Sequence, residues 1–194
     1  MRSFTKWINR FIVQWSEIGP TLFIICIADL TPTGSTNYLT KYADDSNRLV
    51  PENDDVGLYD ELQNVLKWVE VNKMQVNMAK TNEIVFHRPN ARNVLLPSEL
   101  PGIQRVLYVK LLFVWLHADM GMKKHVEYIV HICNQRTYLL TQWKRQGLPP
   151  AQLQNVFDTI ILARDLYALP AWQGYMNASD NNSLQQLFLK AQRW

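Results

Sequence analysis

The chain has 194 residues, 47% hydrophobic and 19% charged, a composition that excludes a disordered chain and fits a core-forming globular one. Its longest apolar run, residues 22–28, is far shorter than the ~20 residues of a membrane helix, so we expect no membrane partner. The net charge is +3, but residues 1–101 hold ten basic and twelve acidic side chains, whereas residues 102–194 hold ten and five. A basic second half is compatible with nucleic-acid binding and equally with a solvated helix face.

The cysteines and the first residues predict an intracellular protein, in the cytoplasm or the nucleus. Cys26 and Cys133 lie in apolar helical patterns, which predicts buried free thiols in a reducing compartment. Residues 1–11 contain three basic side chains but no continuous apolar core, so they do not have the pattern of a secretory signal.

The first half of the chain is predicted to mix helices and short strands. Its elements are a short buried helix at 21–30, hairpin strands at 37–41 and 46–50, a helix at 56–72 and a strand at 83–87. Pro32 and Gly34 stop the first helix, and Asp54 or Asp55 is expected to cap the second.

The second half is predicted to begin with two short strands within residues 105–117 and then to become helical. Its helices run from Met122 to near Gly147, from Ala151 onward, over residues 164–169, and from Ser179 or Ser183 onward. We therefore expect a domain boundary at about 118–119, between a mixed part and an all-helical part.

Asp44 and Asp45 lie at the tip of the predicted hairpin. Adjacent aspartates in this position are either turn residues, because Asp hydrogen-bonds its own backbone, or oxygen ligands for Mg²⁺. Neighbouring residues on an extended segment point in opposite directions, so both cannot be full ligands of one site. A metal site here requires a carboxylate from a second segment.

A strand–Asp-Asp–strand hairpin followed by helices is the order expected of a polymerase palm and thumb. Nucleotide addition by two metal ions ~4 Å apart explains the need for carboxylates. Residues 41–52 (KYADDSNRLVPE) resemble the catalytic hairpin of reverse transcriptases from LINE-type (non-LTR) retrotransposons. Four more segments resemble that family in the same order: 19–25 before the hairpin, 72–86 after it, 109–114 at the primer grip, and 167–172 in the thumb and post-thumb helices.

The resemblance spans about residues 11–194 and implies an α+β fold, with a partial palm at 1–118 and a helical thumb at 119–194. It implies an RNA-directed DNA polymerase, a nucleotidyltransferase that uses Mg²⁺, deoxynucleotides, an RNA template and a DNA primer. By position, Asp44 is a metal-binding catalytic carboxylate and Asp45 its less directly involved neighbour. Gln14 and Ser16 match the loop that lies against the incoming nucleotide and the template.

Two lysines also have family counterparts. Lys80 matches a lysine thought to help protonate the leaving pyrophosphate, and it is equally well explained as a solvated turn residue. Lys110 matches a position that contacts the primer backbone, although a lysine that simply flanks a strand is slightly favoured.

The chain also departs from the family pattern. The other essential Asp is expected on a strand before the Gln14 loop, but the preceding 13 residues contain no acid. Trp15 replaces a glycine in that loop, Phe113 replaces the glycine of a Leu-Gly pair, and the fingers and endonuclease regions are missing. We therefore expect weak Mg²⁺ binding and little or no polymerase activity from this chain alone.

Two alternatives remain at this point. In the first, residues 119–194 form a nucleic-acid-binding module without catalysis, as the cluster of Trp143, Lys144 and Arg145 in the basic half indicates. In the second, the chain is the product of a decayed element and has no function.

Overall fold

The computed structural model describes residues 17–52, 54–89 and 96–191. The fold is mixed α+β, about 49% helical and 13% strand, with small sheets, which confirms the predicted class. The chain divides into two compact units, Met1–Asn77 and Met78–Trp194. The predicted boundary at 118–119 lies inside the second unit, and its assignment to a palm and a thumb stays a prediction.

The described part of the first unit contains two helices and one hairpin. Its elements are α1 (Gly19–Cys26), β1 (Tyr38–Tyr42), β2 (Asp45–Leu49) and α2 (Leu58–Val71). The strands are antiparallel, with Tyr38 opposite Leu49 and Tyr42 opposite Asp45. The predicted hairpin is therefore confirmed to within one residue at each strand end.

Two predictions for the helices of this unit are wrong in detail. The first helix ends at Cys26 and is not buried, since Ile25 is 65% exposed. Its residues are almost all apolar, so the helix has no polar face to turn toward water. The second helix is capped by the backbone of Gly57, because the Asp54 side chain instead accepts hydrogen bonds from Val56 and Thr36.

The second unit begins with short strands and continues as a helical bundle. Its strands are β3 (Asn82–Glu83), β4 (Gln104–Arg105), β5 (Tyr108–Leu111) and β6 (Val114–His117). Its α-helices are α3 (Lys123–Arg145), α4 (Pro150–Phe157), α5 (Ala163–Leu166), α6 (Leu169–Trp172) and α7 (Ala178–Ala191). A π-helical segment, Asp158–Leu162, joins α4 to α5. The pair β3 and β4 is parallel, and the pair β5 and β6 is antiparallel.

Helix α3 is the centre of this unit. It packs against α4, α5, α7, the π-helical segment and strand β6. The buried core combines its apolar stripe with residues from the other elements: Val114, Met122, Val126, Ile129, Cys133, Leu140, Ile161, Trp172, Leu184 and Leu187. Residues spaced at the helical period of 3.6 form this stripe, whereas Tyr138, on the same helix, is exposed.

Three further observations complete the fold. Cys26 and Cys133 are both free thiols, and only Cys133 is fully buried. The predicted strand at 83–87 shortens to two residues, because beyond Glu83 the chain leaves β4 and the amide of His87 donates to the carbonyl of Ala118 instead. Within the described ranges, none of the helices has both the length and the apolar character needed to cross a membrane.

Candidate functional site

The carboxylate pair occupies the tightest part of the first hairpin. Ala43 and Asp44 form the two-residue loop, and Asp45 is the first residue of β2, opposite Tyr42. Ala43 has a φ of 50°, a left-handed conformation that is typical of the first position in hairpin turns that follow the strand twist. Both carboxylates are exposed at this tip. The sequence prediction of adjacent aspartates at a hairpin tip is therefore confirmed, and their catalytic role stays a prediction.

Two basic side chains tie the strands of the hairpin to the rest of the first unit. The ammonium group of Lys41, on β1, donates to the backbone carbonyls of Ile27 and Ala28, at the end of α1. Arg48, on β2, forms an ion pair with Glu61, on α2, and its guanidinium group is largely buried. Burial lowers the pKa of Arg48 from its ordinary value. These contacts fix the strands that carry Asp44 and Asp45 to the end of α1 and to α2.

Glu61 is completely buried and joins three segments of this unit. Its Oε1 accepts hydrogen bonds from the amides of Thr33 and Gly34 at 2.7 and 2.8 Å, and from the amide side chain of Asn37 at 2.8 Å. Together with the Arg48 ion pair, these bonds supply the partners that a buried carboxylate requires. Glu61 therefore fixes the loop before β1, strand β2 and helix α2 to one another.

As metal donors, Asp44 and Asp45 are two exposed carboxylates on a backbone turn. Within residues 17–52, 54–89 and 96–191, no three His, Cys, Asp or Glu side chains are grouped so that they could hold an ion. Mg²⁺ retains most of its water unless several oxygen ligands converge on it. The pair thus fits a weakly held, largely hydrated Mg²⁺ and does not form a tight cage.

The remaining predicted site residues fall elsewhere. Gln14 and Ser16 lie outside the described residues. Lys80 is in the second unit, exposed in a turn, and its backbone carbonyl accepts a hydrogen bond from the side chain of Asn82 at 3.2 Å. Lys110 is also in the second unit, on strand β5. The surroundings of Lys110 are more informative about function than those of Lys80.

The β5–β6 hairpin ends in an unusual turn. Leu111 pairs with Val114, so Leu112 and Phe113 form a two-residue loop, with φ values of 42° and 70°. Positive φ at both loop positions is the pattern of the type I′ turn, which normally carries Asn-Gly because larger residues are strained there. Phe113 is nevertheless 58% exposed, so burial of its ring does not explain its presence.

Helices of the same unit support this turn. The Tyr167 hydroxyl donates to the carbonyl of Leu112 at 3.1 Å, and the Tyr167 ring meets the Phe113 ring edge to face, with centroids 6.4 Å apart. Tyr167 is placed by the break between α5 and α6, where Ala168 adopts a left-handed φ of 53° and Pro170 follows.

Three cations lie over aromatic rings around this hairpin. Lys110 Nζ is 4.7 Å from the ring centre of Tyr128 and 5.5 Å from that of Phe113. The Arg164 guanidinium carbon is 5.2 and 5.7 Å from the same two rings. Lys124 Nζ lies 4.1 Å from two further rings, those of Tyr108 and Trp115. We call the set the cation–aromatic surface: Tyr108, Lys110, Phe113, Trp115, Lys124, Tyr128, Arg164 and Tyr167.

The charge of this surface is not neutralised by carboxylates. Among the described residues, no Asp or Glu forms an ion pair with its three cations. Glu127 lines a cleft between α3 and the start of α7, and Asp165 is buried. Burial would raise the pKa of Tyr128, but the hydrogen bond from Lys110 and the nearby charge of Arg164 lower it overall. The surface therefore combines exposed rings with positive potential.

A buried histidine lies beneath the hairpin. His125 Nδ1 accepts a hydrogen bond from the amide of Trp115 at 3.4 Å, and its ring meets the ring of Trp172 edge to face at 4.8 Å. Burial, helped by the nearby charge of Arg164, lowers the pKa of His125 to about 4. The neutral imidazole is thus part of the support for strand β6.

Comparison with known proteins finds no family model, no curated protein and no solved structure that matches this chain.

The sequence named the two aspartates, Lys80 and Lys110 as site residues, which stays a prediction, and it did not indicate Glu61 or most of the cation–aromatic surface. Glu61 could have been noticed, because it lies three residues after Leu58 and four before Val65, on the predicted apolar face of α2. The cation–aromatic surface could not have been noticed, because Arg164 and Lys110 are far apart in the sequence.

Proposed function

We propose that this chain is the palm and thumb part of an RNA-directed DNA polymerase of the non-LTR retrotransposon type, and that it binds nucleic acid without catalysing synthesis by itself. The observation that carries the proposal is the hairpin whose two-residue turn and first β2 residue present Asp44 and Asp45 to solvent. The ordered sequence resemblance supports it. In this proposal residues 1–118 are the palm and residues 119–194 the thumb.

The proposed ligands follow from the same resemblance. Asp44, with Asp45 beside it, would hold a hydrated Mg²⁺, which supplies charge neutralisation at the phosphates of a deoxynucleotide. Lys80 is assigned to the leaving pyrophosphate, and Lys110 to the DNA primer on its RNA template. Gln14 and Ser16 are assigned to the nucleotide and the template. Two exposed carboxylates are too few to bind the ion tightly, which is why we expect no synthesis from these residues alone.

The metal proposal is testable without any activity. Mn²⁺, which prefers the same oxygen ligands as Mg²⁺, should broaden the amide NMR signals of the residues at the β1–β2 tip first, and with weak affinity. The double substitution Asp44→Asn with Asp45→Asn should remove this effect. The matched control is Asp60→Asn, an exposed acid on α2, which should leave it unchanged. Selective broadening at another acidic site instead would contradict the assignment.

Polymerase activity is tested by primer extension on an RNA template with Mg²⁺ or Mn²⁺. We expect no extension above that of the Asp44→Asn variant. Templated synthesis that disappears in this variant would show that the chain is an active polymerase and would overturn the expected inactivity.

The second candidate function is a nucleic-acid-binding module without any catalytic contribution. The cation–aromatic surface favours it, because cations near exposed rings can bind phosphates and bases at the same time. The two candidates share the binding step and differ only in the role of the aspartates. Both predict no primer extension, so the metal experiment is the one that separates them.

A further inference from the structure

The turn of the β5–β6 hairpin holds two bulky residues in an unfavourable backbone conformation. Leu112 and Phe113 both adopt left-handed backbone conformations, in which residues with a large Cβ substituent are disfavoured. Glycine would relieve the strain at either position. Strained residues that persist in a fold are often those whose side chains are used.

Phe113 is placed for use by a ligand. Phe113 is 58% exposed, and the Tyr167 hydroxyl donates a hydrogen bond to the carbonyl of Leu112 in the same turn. Leu112, Tyr108 and Tyr167 are also exposed, so the Phe113 ring lies in an apolar patch that a partner could cover. The turn therefore presents the Phe113 ring to solvent in a defined position.

The groups around Phe113 indicate the chemistry of that partner. Lys110 and Arg164 lie 5.5 and 5.7 Å from the ring centre, and Lys124 lies over neighbouring rings. A partner must therefore bring both a flat apolar face and negative charge. An unpaired nucleotide has this combination, since its base can stack on the ring while its phosphate contacts the cations. In a duplex the base faces are already stacked on one another and are closed to Phe113.

We infer that the cation–aromatic surface binds single-stranded nucleic acid, with the Phe113 ring stacking on an unpaired base and Lys110, Lys124 and Arg164 contacting the adjoining phosphates. This inference rests on the nucleic-acid binding of the second candidate function and specifies the form of its ligand, whereas in the polymerase proposal Lys110 would meet a primer paired with its template. It assigns a stacking role to the residue that replaces glycine in the resembling family.

The experiment compares two labelled probes of about 12 nucleotides, an oligothymidylate and an abasic strand with the same number of phosphates, by fluorescence anisotropy. The protein variants are Phe113→Gly, which removes both ring and strain, and Phe113→Trp, which keeps a stacking ring. We expect Phe113→Gly to bind the oligothymidylate about 5- to 150-fold more weakly, the loss typical of one base–aromatic stack. Its affinity for the abasic strand should not change, and Phe113→Trp should bind as the wild type does.

Thermal unfolding of Phe113→Gly separates this loss from misfolding: relief of backbone strain offsets the lost contact of the ring with Tyr167, so the midpoint should stay close to that of the wild type. If Phe113→Gly binds the oligothymidylate as tightly as the wild type, or loses affinity equally for the abasic strand, the stacking inference is wrong. Equal affinity of the wild type for a duplex of the same length would also overturn it. If the wild type binds no nucleic acid at all, the proposed binding function fails as well, so the two failures are distinguishable.

Discussion

Glu61 is the single residue with the largest expected effect on the first unit. Replacing it by Gln keeps the shape of the side chain but leaves the buried Arg48 guanidinium without a counter-charge. Removing one partner of a buried ion pair costs about 3–5 kcal/mol. We therefore expect Glu61→Gln to destabilise the hairpin strands by about that amount, measured as lost hydrogen-exchange protection of the β1 and β2 amides.

The matched control is Glu70→Gln, an exposed glutamate on the same helix, which should change stability by less than about 0.5 kcal/mol. If Glu61→Gln behaves like this control, the buried carboxylate does not organise the unit in the way described.

His125 should make the stability of the second unit depend on pH. Its pKa is lowered to about 4 in the folded state, from an ordinary value of 6.5. Between those values the unfolded chain binds a proton that the folded chain does not, so stability falls as the pH falls through this window. The loss approaches about 3 kcal/mol near the lower end. Urea unfolding at several pH values between about 7 and 4.5 measures it.

The control for this prediction is His125→Asn, whose side-chain oxygen can still accept the hydrogen bond from Trp115. Burial raises the pKa of Asp165, which contributes in the opposite sense, but that residue is present in both proteins and cancels in the difference. Parallel pH profiles for the wild type and His125→Asn would contradict the assignment to His125.

At the scale of elements, the loop before β1 depends on one close approach of the chain to itself. A Cβ on Gly34 would lie 2.2 Å from Nδ2 of Asn37, which is buried and bonded to Glu61. We expect Gly34→Ala to destabilise the first unit by about 1–3 kcal/mol, the usual effect of overpacking. Chemical unfolding should show a smaller loss for Gly57→Ala, where a Cβ meets nothing within 4 Å and the expected cost is a poorer N-cap for α2. Equal effects of the two substitutions would contradict this account of the loop.

The elements that the sequence predicted are those with a strong local signal. The hairpin predicted at 37–41 and 46–50 and the helix predicted from Met122 correspond to β1–β2 and α3, because alternating residues and apolar residues at the helical period are local signals. The strand at 83–87 was predicted too long, since its β-branched residues do not reveal that the partner strand has only two residues. Nothing in local propensity predicts the π-helical segment after α4, which depends on packing.

The surroundings of Phe113 also lack a local signal in the sequence. The proposed resemblance puts Phe113 where that family has a glycine, but only the three-dimensional arrangement shows its left-handed backbone, its exposure and the two cations beside it. Contacts between residues distant in the sequence, such as Arg164 and Phe113, have no local signature. The excess of basic side chains in the second half of the chain indicated a basic surface but not where that surface lies.

For the whole molecule, we propose that binding of nucleic acid is mainly electrostatic. Residues 78–194 contain thirteen basic and seven acidic side chains, and three of the basic groups lie on the cation–aromatic surface. Binding of three phosphates on a single strand predicts that the logarithm of the affinity falls with the logarithm of the salt concentration with a slope of about −2.

The most direct measurement is therefore a salt titration of oligonucleotide binding by the wild type, Lys110→Gln and Lys190→Gln. We predict a slope of about −2 for the wild type and a slope smaller by about 0.7 for Lys110→Gln, because one phosphate contact is lost. The control Lys190→Gln, which removes an exposed charge on α7, should match the wild type. An affinity that does not fall with rising salt, or equal slopes for all three proteins, would contradict the claim.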